Sequence, residues 1–308
     1  IITFLSALAC LAGAVQAQNV TVQHALGQSP EAFVRNHLMG EGTYVFNVKY
    51  NNSSDPIAST QIGTFNANGN TSYNMQEGIC LSTGDIDGIA GPNTSVTDQT
   101  GVEPYYTDPQ MDALSYAENY LHVTACSTLE FDFVCLTNHF SFNYLFASEE
   151  YSCCVGSQFT DLFALLLTGP DPSTGMETTR NIAIVPTSVT DSTPNGLVVS
   201  VNTVNNGVPG IWYYFVPSFF TGDYSFLYVD NPYDATDSAA NVGIRHDGYT
   251  MKFVAEADVL PCQVYHMKLS VCNVSDNNVN TCTLVEGGSF SAPQAAIGLT
   301  RTTIDTIP

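Results

Sequence analysis

The chain has 308 residues, 44% of them hydrophobic and only 12% charged, so one large β domain or two smaller ones can bury a substantial core. Its 29 Asp and Glu outnumber 7 Lys and Arg, a formal charge of −22. That balance excludes nucleic acid and anionic membrane faces, which are recognised through basic patches, and leaves divalent cations or a plainly soluble acidic surface.

The chain opens on "IITFLSALACLAGAVQA", an apolar run ending in small residues. It reads as a signal peptide over 1–17, clipped at its N-terminus, with Val15-Gln16-Ala17 as the cleavage site and Gln18 as the mature start. Cys10 raises a lipoprotein reading, but Ala7 stands where such signals carry Leu, so simple secretion is preferred. Residues 18–29 form a lead-in. "SPEAFVRNHLMG" then predicts a helix from its Ser-Pro-Glu start to Gly40, and "DPQMDALSYAENYL" a second from Asp108. Strand patterns dominate the rest. "LEFDF" sets Leu129, Phe131 and Phe133 on one face, and "FSFNYLFA" does the same with Phe140, Phe142, Tyr144 and Phe146. "YVFNVKY", "FALLL", "NIAIV", "LVVSVNTV", "WYYFV", "SFLYV", "YTMKFVAEADV" and "CQVYHMKLSV" add further strands, separated by turns rich in Gly, Pro, Asn and Asp. The expected fold is all-β, an antiparallel sandwich or jelly roll with one or two short peripheral helices. No other run reaches about 18 apolar residues, so no transmembrane helix is predicted. Residues 293–308 lose the pattern and read as a linker to parts beyond this chain.

Eight cysteines follow the leader: Cys80, Cys126, Cys135, Cys153, Cys154, Cys262, Cys272 and Cys282. An even number in an exported chain points to disulfides, and the absence of C-x-x-C argues against a zinc ribbon. Cys272 and Cys282 flank a turn-rich segment and are the first candidates for a bridge. Nucleophile-elbow, zinc-protease and phosphate-loop motifs are all absent. The six histidines share no motif, and His266, in an alternating strand, reads as a structural residue. Trp212, at the head of "WYYF", reads as core packing rather than a sugar platform.

Carboxylates remain. Glu149 and Glu150 end the strand "SFNYLFAS" and Asp161 opens the next apolar run. An extended chain would point the two glutamates to opposite sides, and a bend would change that. Calcium takes six to eight oxygens from several loops. Glu149, Glu150, Asp161, Asp230 and Asp247 are therefore the candidate ligands of a structural calcium ion, with Asp85, Asp87, Asn93 and Asn231 as further loop oxygens. "DIDG" is only a fragment of a calcium loop, since its twelfth position is Val96. Each such residue also has a plain reading as a turn cap, and either glutamate could pair with Arg245 or Lys252.

In chain order, "AFVRNHLMGEG", "IGTFNANG", "EGICLSTGDIDGIAGPN", "DPQMDAL", "STLEFDF", "SFNYLFASEEY", "FTDLFALLLTGP", "NIAIVP", "VSVNTVN", "YVDN", "HDGYT", "CQVYHMKLSV" and "EGGSF" resemble the bacterial choice-of-anchor L domain. The match spans about residues 30 to 292. It implies an exported, β-rich module of cell-surface proteins, Bacteroidetes-like, held by a C-terminal anchor beyond this chain, with no agreed enzymatic activity or ligand. Cys153 and Cys154, and Cys272 and Cys282, depart from the family pattern. The expected function is thus a non-catalytic, secreted or cell-surface module for adhesion or glycan binding, with an extracellular glycan or surface protein as partner and calcium as cofactor. A polysaccharide hydrolase using Glu149 or Glu150, and a purely structural spacer, are the alternatives. Asp237-Ser238-Ala239 and Asp305-Thr306-Ile307 resemble short O-glycan attachment sites.

Overall fold

A computed structural model describes residues 19–95, 105–118, 120–187, 194–231, 233 and 243–292. The expected leader 1–17, the expected linker from 293 and both expected O-glycan motifs lie outside these residues. In chain order the elements are β1 (Thr21–His24), α1 (Pro30–His37), β2 (Thr43–Tyr50), β3 (Ile62–Asn66), β4 (Glu77–Ser82), α2 (Pro109–Ala117), β5 (Val123–Cys135), β6 (His139–Ser148), β7 (Leu162–Pro170), β8 (Glu177–Asn181), β9 (Ile184–Pro186), β10 (Pro194–Ser200), β11 (Tyr228–Asp230), β12 (Gly248–Thr250), β13 (Phe253–Asp258), β14 (Val264–Val274) and β15 (Thr281–Glu286). No helix among the described residues is long and apolar enough to cross a membrane.

The strands form two antiparallel sheets, as the alternating patterns predict. The first runs β1-β3-β4-β15-β6-β12-β11, with β13 also pairing β6; the second runs β2-β5-β14-β7-β10-β9, with β8 pairing β7. β1 belongs to the lead-in, so the first sheet begins at Thr21, ahead of residue 30. The alternating aromatic positions of β5 and β6 meet between the sheets: the Phe133 and Phe140 rings lie 5.0 Å apart, and Phe290 stacks on Phe142 at 4.3 Å. Each fully buried Phe contributes about 1.5–3 kcal/mol by leaving water, so this seam is the main apolar stabilisation. Both helices start where their caps dictate. Ser29 Oγ accepts from Ala32 N, and Asp108 Oδ1 accepts from Gln110 N and Met111 N, with a proline opening each first turn.

Two expectations need correction. Cys272 is bridged to Cys126, not to Cys282. β14 and β5 pair in a register that sets Cys272 directly opposite Cys126, and both side chains face the outer layer of the second sheet, clustered with Met111, Leu162, Ala164 and Leu166. Cys282 lies in the first sheet and packs with Cys80, Leu145 and Tyr249 on that sheet's outer face. The second correction concerns "WYYFV". It is not a core strand: Ile211–Tyr214 is a single 3-10 turn on the surface, and Trp212 is 45% exposed. Pro209 and Pro217 bracket this stretch, and proline cannot donate to a sheet ladder.

Candidate functional site

β6 ends at Ser148, and the chain bends. Ser148 Oγ accepts from Glu150 N at 2.9 Å, and Glu149 N donates to Asn280 O at 3.0 Å. The bend removes the strand alternation, and both glutamates enter the interior with 1% of their surface exposed. Glu150 Oε2 accepts from Asp161 N at 2.8 Å, which ties the turn to the start of β7. Asp161, itself fully buried, accepts from Val274 N at 3.0 Å through Oδ1 and from the Thr281 hydroxyl through Oδ2. One acidic turn thereby joins β6, β7, β14 and β15.

Electrostatically the turn is loaded. Desolvation, reinforced by the negative charge of Asp161, pushes the Glu150 carboxyl well above its ordinary range. Desolvation does the same to Asp161, against the hydrogen bonds from Thr281 and Val274, with Asp276 adding to the rise. Neither has an ion-pair partner among the described residues. Burial of this kind favours the protonated carboxyl over the bare carboxylate. Lys252, one of the proposed partners, lies instead 3.6 Å from Glu286.

Asp230 accepts from the Tyr228 hydroxyl at 2.8 Å and is exposed, and Asp247 accepts from Asn93 Nδ2 at 2.8 Å. Among the described residues, the five candidates do not bring three carboxylate oxygens within 4.8 Å of one another. A different trio brings an imidazole nitrogen and two carboxylate oxygens within that distance: His24, Asp85 and Asp87, with His24 Nε2 2.9 Å from Asp85 Oδ1 and 3.7 Å from Asp87 Oδ1. The sequence offered "GDIDG" but not its histidine, which lies 61 residues away on β1. Asp85 also caps the short 3-10 helix at Ile86–Ile89, the plain role of an Asp in such a loop.

A glycosidase needs two carboxyls across an open cleft. Glu149 and Glu150 are buried, and they line neither the 770 Å³ groove beside β1 and α1 nor the 480 Å³ groove beside β8 and β13.

Next to the acidic turn lies an aromatic surface that the sequence reading placed in the core. Residues 206–226 carry one charged side chain, Asp223. Tyr214 is 76% and Phe215 71% exposed, and Ile211, Trp212, Phe219 and Phe226 are exposed with them. The rings touch in sequence: Phe159 packs edge-on against Trp212 at 5.6 Å, and Trp212 against Phe215 at 5.8 Å. Backbone bonds fix the surface to the turn. Trp212 N donates to Cys153 O, Gly210 N to Val155 O and Ser218 N to Gly156 O. The side chain of Asn202 adds a brace, accepting from Gly156 N and donating to Ser157 O. Residues 210–218 follow no strand or helix period, and their Gly, Pro and aromatic content is the signal that could have marked them as a presented loop.

The sequence model of one family, described as the choice-of-anchor L domain, matches residues 19–291. No curated protein and no solved structure matches the chain.

Proposed function

The chain belongs to the choice-of-anchor L domain family, a surface-associated module, and from that premise we propose that it binds an extracellular glycan through the aromatic surface of residues 206–226 without catalysing a reaction. The observation that carries this reading is the exposure of seven large apolar side chains, Val208 among them, on one nearly uncharged loop, pinned to the rim of a rigid sandwich. Exposed apolar patches of this kind serve contact with a partner. Uncharged rings complement the apolar faces of sugar rings, while Asn, Ser, Thr and backbone groups around them supply hydrogen bonds. A charge of −22 turns away anionic partners, which favours neutral glycans.

The test is a glycan array probed with the full chain, followed by titration of any hit against the emission of Trp212, the only tryptophan in the chain. Trp212→Ala and Phe215→Ala are each expected to weaken binding about tenfold or more, the effect of removing an aromatic anchor. A blank array, or hits unaffected by both substitutions, overturns the reading. Self-association that both substitutions abolish would assign the surface to a second copy of the chain. Release of sugar product from a hit, lost in Glu150→Gln, would return the hydrolase alternative.

Calcium enters as a second part of the proposal. A structural ion at the turn of Glu149, Glu150 and Asp161 would draw its shell from these carboxylates, nearby carbonyls and water.

A further inference from the structure

The acidic turn carries two adjacent thiols that neither the fold nor the glycan reading uses. Cys153 Sγ and Cys154 Sγ lie 2.8 Å apart, within about 0.8 Å of the ~2.05 Å disulfide bond length. Cys153 is half-buried and reachable from solvent, whereas Cys154 is buried. The turn is held closed around them: Cys154 N donates to Glu150 O at 3.0 Å, and Cys153 Sγ lies 3.6 Å from the same oxygen. The chain already carries one bridge, Cys126–Cys272, on the far side of the second sheet.

We propose that Cys153 and Cys154 are a redox-active pair that closes to a vicinal disulfide, and that closure stiffens the turn on which the aromatic surface rests. The two thiols are unequal in the sense such a pair requires. Cys153 is the sulfur that solvent reaches and Cys154 is the buried one. The accessible sulfur is therefore the nucleophile and the buried one resolves. With a low-molecular-weight disulfide as oxidant, the Cys153 thiolate attacks one of its sulfurs and releases one thiol. Cys154 sulfur then attacks Cys153 Sγ and expels the second, which leaves with the Cys154 proton. Two protein thiols and one small disulfide become one protein disulfide and two small thiols.

The coupling to the aromatic surface is a matter of close approach. Cys153 O accepts from Trp212 N at 3.1 Å, and a Cβ on Gly210 would lie 2.1 Å from Cys153 O. Gly156, at φ +80°, leaves room for Tyr213 and Phe220, whose rings a Cβ there would meet at 2.9 Å. The turn and the loop bearing Trp212 therefore have little freedom to move separately.

The experiment needs no ligand, so it fails or succeeds independently of the glycan reading. The full chain is reduced mildly, exposed to oxidised glutathione, and analysed by intact mass and non-reducing peptide mapping. The expected result is the loss of two hydrogens in the peptide holding Cys153 and Cys154, and loss of iodoacetamide labelling at both. Cys154→Ser is expected to stop at a mixed disulfide between glutathione and Cys153, and Cys153→Ser to take up no glutathione at this turn. The emission of Trp212 is expected to shift on oxidation in the natural chain and not in either variant. Full labelling of Cys153 and Cys154 after oxidation, or a bridge from either to another cysteine, overturns the pair. An unchanged Trp212 emission with the bridge formed overturns the coupling. Since the mass mapping is read on the natural chain, a variant that misfolds does not shield the proposal.

Discussion

Under α2, Asp108 and Glu130 are buried against a cation, whereas after β6, Glu150 and Asp161 are buried without one among the described residues. Lys268 Nζ lies 2.7 Å from Asp108 and 3.6 Å from Glu130, and His266 stands 3.4 Å from Glu130 and 2.8 Å from Asp132. The hydrogen bond from His266, with help from Lys268, holds the Glu130 carboxyl below its ordinary range despite desolvation. At the acidic turn, amides and one hydroxyl are the donors, and both carboxyls rise. The first arrangement is a closed ion-pair network that fixes a helix to a sheet. The second has no counter-ion among the described residues, and it adjoins the exposed rings and the paired thiols. Burial alone therefore does not set the direction in which a carboxyl shifts; the partner does.

The network is the side of this contrast that breaks hardest. Lys268→Met leaves Asp108 and Glu130 buried without their lysine, and is expected to cost about 3–5 kcal/mol in urea unfolding. A loss under about 1 kcal/mol would mean that the two carboxylates are reached by water, and the contrast with the acidic turn would disappear.

His246 supplies the acid limit. It is fully buried, its Nε2 has no hydrogen-bond partner among the described residues, and desolvation, with the charge of Arg245, pulls its pKa down to about 3. The unfolded chain binds this proton near pH 6.5 and the folded chain does not. The stability this group contributes is therefore complete above about 6.5 and lost as pH falls towards 3, by a total on the order of 5 kcal/mol. Melting curves of the natural chain and of His246→Gln between pH 7 and 3 measure it; parallel curves would show that the ring is hydrated in the folded state.

A smaller effect sharpens the other side. With a dissociation constant of roughly 0.1–1 mM, about 10 mM calcium adds on the order of 1.4–2.7 kcal/mol. Melting is expected to rise by a few degrees over a chelated sample, and equal curves remove the ion from the turn. The smallest shift distinguishes proton from ion. In chelator, the raised carboxyls favour the folded state below their unfolded values near 4, and that stabilisation is lost as pH rises through the folded values. Glu150→Gln keeps an acceptor for Asp161 N, so it is expected to change stability at pH 6 by no more than about 1 kcal/mol while flattening that decline. An undiminished decline would place the titrating group elsewhere.

How much of this was legible in the chain depends on how local each cause is. The two-residue period of Phe140, Phe142, Tyr144 and Phe146 announced a strand with one buried face, and its aromatic residues do meet β5 across the core. Ser29 and Asp108 announced helix starts because a cap acts within three residues. The acidic turn was legible as a place, from Glu149, Glu150 and Asp161, but not as an interior. Trp212 was misread because an aromatic run has the same composition in a core strand and on a presented loop.

Sequence by itself determined the sandwich, its helix starts, its family and its acidic character, since those follow from local periodicity, caps and composition. Only the tertiary structure decided that Cys272 joins Cys126 across 146 residues, that the turn carboxyls face donors from β14 and β15, and that Trp212 faces outward. The reason is physical: each of these depends on which strands pair and in what register, and register is a property of the packed sheets that no neighbouring residue encodes.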